Sequence, residues 1–102
     1  MKCTIYINSR SLNGNDVDIR ILVLGLDENT NYTAQVIPDH NPPTTVTAKT
    51  DSEGILWTVA KILHGEKSTL FEVKVYEGKG IDKRFVVSGD DDAPCFNIVI
   101  PS

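Results

Sequence analysis

Alternation of apolar and polar residues with a period of two recurs along this chain, and the strands it predicts are short. Cys3, Ile5 and Ile7 fall on one face and Thr4, Tyr6 and Asn8 on the other. The stretch Ser9–Asn15 is rich in turn formers and predicts a break. Beyond it Val17, Ile19, Ile21 and Val23 line one side; Asp18 and Arg20 begin the opposite side, which Leu22 and Leu24 continue as apolar. Tyr32, Ala34 and Val36 mark a third strand, ended by Pro38 and the pair Pro42-Pro43, which cannot donate ladder hydrogen bonds. Thr44–Thr50 is β-branched and alternating, a fourth strand. Asp51-Ser52-Glu53-Gly54 then reads as a hairpin loop with Gly54 suited to a positive φ.

The segment Ile55–Leu63 is too apolar for its period to be read directly. A helix capped near Ser52 and stopped by Gly65 is the competing description, bringing Leu56, Val59, Ala60 and Leu63 together. Its β-branched content and the turn signals at strand length favour a strand, one expected to be buried on both faces. Leu70–Tyr76 alternates again, with Phe71, Val73 and Val75 inward and Glu72 and Lys74 outward. Glu77–Gly80 is a turn, and Phe85–Ser88 and Phe96–Ile100 complete a set of about eight strands around an acidic loop. Short strands at this spacing predict one all-β domain over residues 1–102, a sandwich of about seven to eight antiparallel strands.

Composition narrows the function classes. The 102 residues are 40% hydrophobic and 24% charged with a net charge of −4, the profile of a globular domain. No apolar run approaches the length of a membrane span, and no Lys/Arg cluster forms a nucleic-acid groove, so neither membrane insertion nor nucleic acid is expected. Met1-Lys2 leads directly into alternating sequence without a signal-peptide pattern. The expectation is an intracellular chain or, preferred here, a segment of a longer one.

The segment Gly25-Leu26-Asp27-Glu28-Asn29-Thr30-Asn31-Tyr32 resembles the G-L-x-P-x-T-x-Y segment of fibronectin type III and other immunoglobulin-like domains, with Glu28 in place of proline. Here the segment follows two strands, whereas in fibronectin type III it precedes the sixth. The run Thr50-Asp51-Ser52-Glu53-Gly54 resembles the T-D-x-x-G hairpin of bacterial and archaeal surface domains. Together they are similar to immunoglobulin-like sandwiches of prokaryotic cell-surface type. That resemblance implies a tyrosine corner at Tyr32 and a noncatalytic structural or adhesive module outside the cell. Its partners would be proteins or copies of itself, met through loops or edge strands, with no cofactor and no catalytic residues. In such sandwiches the terminal strands often adjoin, so a Cys3–Cys95 disulfide is reasonable and would contribute about 4 kcal/mol. Two unpaired thiols remain the open alternative.

The remaining chemistry is sparse. Asn31-Tyr32-Thr33 is an N-glycosylation triplet at Asn31. Asp90, Asp91 and Asp92 form the densest charge cluster, and a calcium loop there needs Asp16, Asp51 or Glu53 to converge. A solvated turn is the preferred reading, with no metal. His40 and His64, taken with the two cysteines, lack zinc-site spacing, and no nucleophile–base signature is present, so an enzyme is not expected. Trp57 is expected to fill the core, with an exposed sugar platform beside Tyr6 or Tyr76 as the alternative. The loop Asn41–Thr45 resembles the N-P-T-T-G loop of chagasin-type cysteine-protease inhibitors, interrupted by Pro43. The alternative function is therefore a ligand-binding module, either such an inhibitor or a carbohydrate binder.

Overall fold

The computed structural model describes residues 4–12, 16–39, 41–62 and 71–90. Among them are seven strands and no helix: β1 (Thr4–Leu12), β2 (Asp16–Leu24), β3 (Asn31–Pro38), β4 (Thr44–Lys49), β5 (Leu56–Ile62), β6 (Phe71–Glu77) and β7 (Phe85–Asp90). They form two antiparallel sheets, a three-stranded one ordered β1-β2-β5 and a four-stranded one ordered β4-β3-β6-β7. The chain is an all-β sandwich. The expected eighth strand, Phe96–Ile100, lies outside the described residues, as do Cys3, Cys95, His40 and His64.

The interior follows from the alternation. Ile5 and Ile7 of β1, Ile19, Ile21 and Val23 of β2, and Leu56, Ala60 and Ile62 of β5 are buried from one sheet. Tyr32, Ala34, Val36, Phe71, Val73 and Val75 meet them from the other. Burying side chains of this size contributes about 1.5–3 kcal/mol each, the main force holding the sheets together.

Three expectations are corrected. The break placed at Ser9–Asn15 does not begin at Ser9, because β1 runs on to Leu12 and pairs Ser9, Arg10 and Ser11 with Ile19, Asp18 and Val17. Ladder hydrogen bonding to β2 outweighs the local turn preference of Ser9 and Ser11. Asp51–Gly54 is not a hairpin: β4 belongs to the four-stranded sheet and β5 to the three-stranded one, so this turn carries the chain across the sandwich. And β5 is buried on one face only. Leu56, Ala60 and Ile62 point inward, whereas Trp57 is 57% exposed and Val59 41%. Trp57 is therefore not the core aromatic; among the described residues Tyr32 and Phe71 are the buried aromatic rings. The period of two applies even where both phases are apolar, and nothing among the described residues covers the outer side of this sheet.

Candidate functional site

Two places gather chemically distinctive side chains: one end of the sandwich, and the outer face of the three-stranded sheet. At the end, the β2–β3 loop is pinned against the turn between β4 and β5. Tyr32, buried at the start of β3, accepts a hydrogen bond on its hydroxyl from the Asp27 N–H at 3.1 Å. Thr50, also buried, donates to the Asp27 carbonyl at 2.6 Å, with the Thr30 carbonyl a longer second acceptor at 3.3 Å. The same Thr50 hydroxyl accepts from the Thr30 N–H at 2.9 Å. Backbone bonds from Leu26 N–H to Gly54 and from Asn29 N–H to Asp51 complete the join.

Asp51 is occupied within its own turn. Its Oδ1 accepts from the Glu53 N–H at 2.8 Å and the Ile55 N–H at 3.0 Å. A carboxylate oxygen already holding two backbone donors is poorly placed to join a calcium site. Asp90 closes β7 instead of starting a loop, Asp91 and Asp92 lie outside the described residues, and no three His, Cys, Asp or Glu side chains among the described residues are grouped to hold an ion.

Beside this join a cleft of about 230 Å³ is lined by Leu26, Asp27, Tyr32, Arg84, Phe85, Val86 and Val87. It follows the start of β7, where a bulge opposite Val75 and Tyr76 displaces the strand. The exposed Arg84 guanidinium donates to Glu77 at 2.9 Å, and that hydrogen bond, with the Glu77 charge, raises its pKa further above the ordinary arginine value. Arg84 lines the cleft with its guanidinium paired to Glu77. The cleft is smaller than the pockets that enclose drug-sized ligands, and its lining holds no nucleophile paired with a base.

The other proposed side chains are placed as follows. Asn31 is half-buried at the first position of β3, and its carbonyl accepts from the Gly78 N–H at 2.9 Å. The Thr33 hydroxyl of the same triplet is buried on the outer side of β3, donating to the Gly78 carbonyl and accepting from the Gly80 N–H. Of the loop Asn41–Thr45, Thr44 and Thr45 belong to β4 and pair with Val36 and Gln35. Only Asn41, Pro42 and Pro43 stay outside the ladder.

The outer faces of the two sheets differ in their middle rows, although the four-stranded sheet also carries an exposed aromatic toward its β7 edge, Phe85 beside Tyr76 with ring centroids 5.6 Å apart. On the four-stranded sheet, Thr45, Gln35, Lys74 and Ser88 stand in one row across all four strands, and every member is polar. On the three-stranded sheet, Tyr6, Leu22 and Trp57 stand in one cross-strand row. Adjacent members of such a row are about 4.8 Å apart, close enough to form one continuous surface. Leu24 lies on the same face toward the pinned end, and Val59 and Arg20 form the next row, followed by Lys61 and Asp18. Leu22 and Leu24 are half-buried, as is Tyr6, part of which packs on the core. An antiparallel sheet facing water ordinarily alternates apolar-in with polar-out, and this face breaks the rule at Leu22, Leu24, Trp57 and Val59. Leu22 and Leu24 carry part of this signal in sequence, because Asp18 and Arg20 mark the outward phase of β2; Trp57 joins them only through the register with β5.

In comparisons with protein-family models, curated proteins and solved structures, nothing matches this chain.

Proposed function

We propose that the chain is a noncatalytic immunoglobulin-like module that acts by contact with another protein surface, as a structural or adhesive part of a cell-surface protein. The observation that carries this reading is the outward row Tyr6–Leu22–Trp57, with Trp57 57% exposed. An apolar centre built on tryptophan, bordered by Arg20, Asp18 and Lys61, has the anatomy of a protein contact: an aromatic anchor within a charged rim. The immunoglobulin-like part of the reading is supported by strand order. Lettered A to G along the chain, the strands divide as A-B-E and D-C-F-G, which differs from the immunoglobulin constant-type division only in the sheet that holds the fourth strand. The extracellular setting rests on the likeness of Gly25–Tyr32 and Thr50–Gly54 to surface domains.

Exposure of Trp57 also favours a second reading, a platform for sugar rings. The neighbours of the indole speak for protein instead. Leu22 and Val59 supply aliphatic contact where sugar hydroxyls require hydrogen-bonding groups, and Arg20 and Lys61 stand at the border.

A photoreactive benzoylphenylalanine in place of Trp57, in the full chain within the cells that make it, tests the reading. Irradiation is expected to join position 57 to protein, while the same probe replacing the exposed Thr45, in the polar row of the four-stranded sheet, gives no adduct. Equal labelling at both positions, a glycan adduct or no adduct at position 57 overturns it.

A further inference from the structure

The outer edge of β5 extends this reading of the Trp57 face and depends on it. Among the described residues β2 pairs along one side of β5, and no strand of its own sheet lies along the other. Edge strands are ordinarily blunted by proline, by charge or by short polar residues. β4 follows Pro42-Pro43 and presents Thr45, Thr47 and Lys49 outward. β5 has no proline, and its outward positions are Trp57, Val59 and a single charge, Lys61. None of the backbone groups from Trp57 to Lys61 is seen bonded to a loop or cap among the described residues. This edge is a template for another strand.

We propose that the partner is a second copy of this chain, paired edge to edge with β5 in antiparallel sense about a twofold axis at Val59. Two three-stranded sheets then become one six-stranded sheet. In this register Val59 lies opposite Val59 of the second copy, and Trp57 lies opposite Lys61 in both halves of the seam. Each lysine ammonium meets an indole, an attractive cation–π arrangement, and its alkyl stem covers apolar surface. On the inner side Leu56 lies opposite Ile62 and Thr58 opposite Ala60, so the buried row continues through the seam. Shifting the axis to Lys61 sets two ammonium groups opposite each other, a register that like-charge repulsion disfavours. The contact is self-complementary, as a twofold interface requires.

Seven residues per copy make a small contact, so the pair is expected to exchange rapidly and to appear between about 10 µM and 1 mM. Sedimentation equilibrium over that range tests it. The natural chain is expected to rise toward the dimer mass, and V59K, which sets two lysines face to face on the axis, to need at least tenfold more protein. I81K makes the same aliphatic-to-lysine change at an exposed position between β6 and β7, away from β5, and is expected to leave the mass curve unchanged. Circular dichroism checks that each variant is folded. Should V59K not fold, V59C in a background lacking Cys3 and Cys95 is expected to oxidise to a covalent dimer. A natural chain that stays monomeric, a dimer indifferent to V59K, or one lost equally with I81K overturns the pairing. A monomeric chain whose position 57 still crosslinks to a different protein overturns the twofold pairing alone; a monomer without any crosslink removes both readings.

Discussion

Replacing Gly54 with alanine is expected to destabilise the domain by about 3–5 kcal/mol, a large share of the 5–15 kcal/mol typical of a domain this size. Two effects combine. Gly54 has a φ of +76°, where a side chain costs about 1–2 kcal/mol. A methyl there would also stand 2.1 Å from the Leu26 carbonyl oxygen, far inside van der Waals contact. The obstacle is backbone, itself held by the bond from Leu26 N–H to the Gly54 carbonyl, so it cannot rotate away as a side chain would. Gly78 separates the two effects. Its φ is +87°, but a methyl would meet only the flexible Lys83 side chain at 3.2 Å. G78A is therefore expected to lose about 1–2 kcal/mol and G54A clearly more, measured by urea unfolding. Equal losses for the two variants would show that the β4–β5 turn does not press on the β2–β3 loop as described.

Thr50→Val is expected to cost about 2–3 kcal/mol although shape and volume hardly change. The Thr50 hydroxyl serves both loops of the pinned end, giving a hydrogen bond to Asp27 and taking one from Thr30, in a site only 3% exposed. Valine keeps the branched packing but leaves a carbonyl and an N–H without that partner, and an unmet buried polar group costs more than a made bond contributes. Thr50→Ser keeps the hydroxyl and is expected to lose under about 1 kcal/mol, the worth of a methyl group. Measured thermal midpoints should follow that order. If T50V equals the natural chain, the hydroxyl does not hold the loops together.

These two positions differ in how far sequence reveals them. Gly54 stands out locally, since a glycine after Asp51-Ser52-Glu53 suggests a turn with positive φ; that the turn crosses between sheets does not, because among the described residues β4 pairs with β3 and not with β5. Thr50 gives no local sign. Its partners lie 20 and 23 residues away, brought near only when the sandwich closes. Thr33 is similar, with its hydroxyl tied to Gly78 and Gly80 across 45 and 47 residues. By contrast β6 is legible throughout, because Phe71, Val73 and Val75 alternate with Glu72 and Lys74 and one face must go inside.

The candidate surface escaped the sequence for the opposite reason. In β5 both phases are apolar, so hydrophobicity does not say which side meets the core, and Trp57 is naturally assigned to the interior. Only the register, which sets Ile19 and Ile21 opposite Ala60 and Thr58, and Leu22 opposite Trp57, decides the matter. The apolar outer phase is then a property of the molecular surface, and it is the surface on which the proposed contact rests.

The account stands most directly on where the indole of Trp57 sits. Acrylamide quenching of its fluorescence in the dilute, folded chain should approach that of a free tryptophan derivative, with red-shifted emission that unfolding barely moves. Weak quenching and blue emission in the same sample, lost on unfolding, would place Trp57 inside the sandwich and contradict the surface on which the proposed contacts depend.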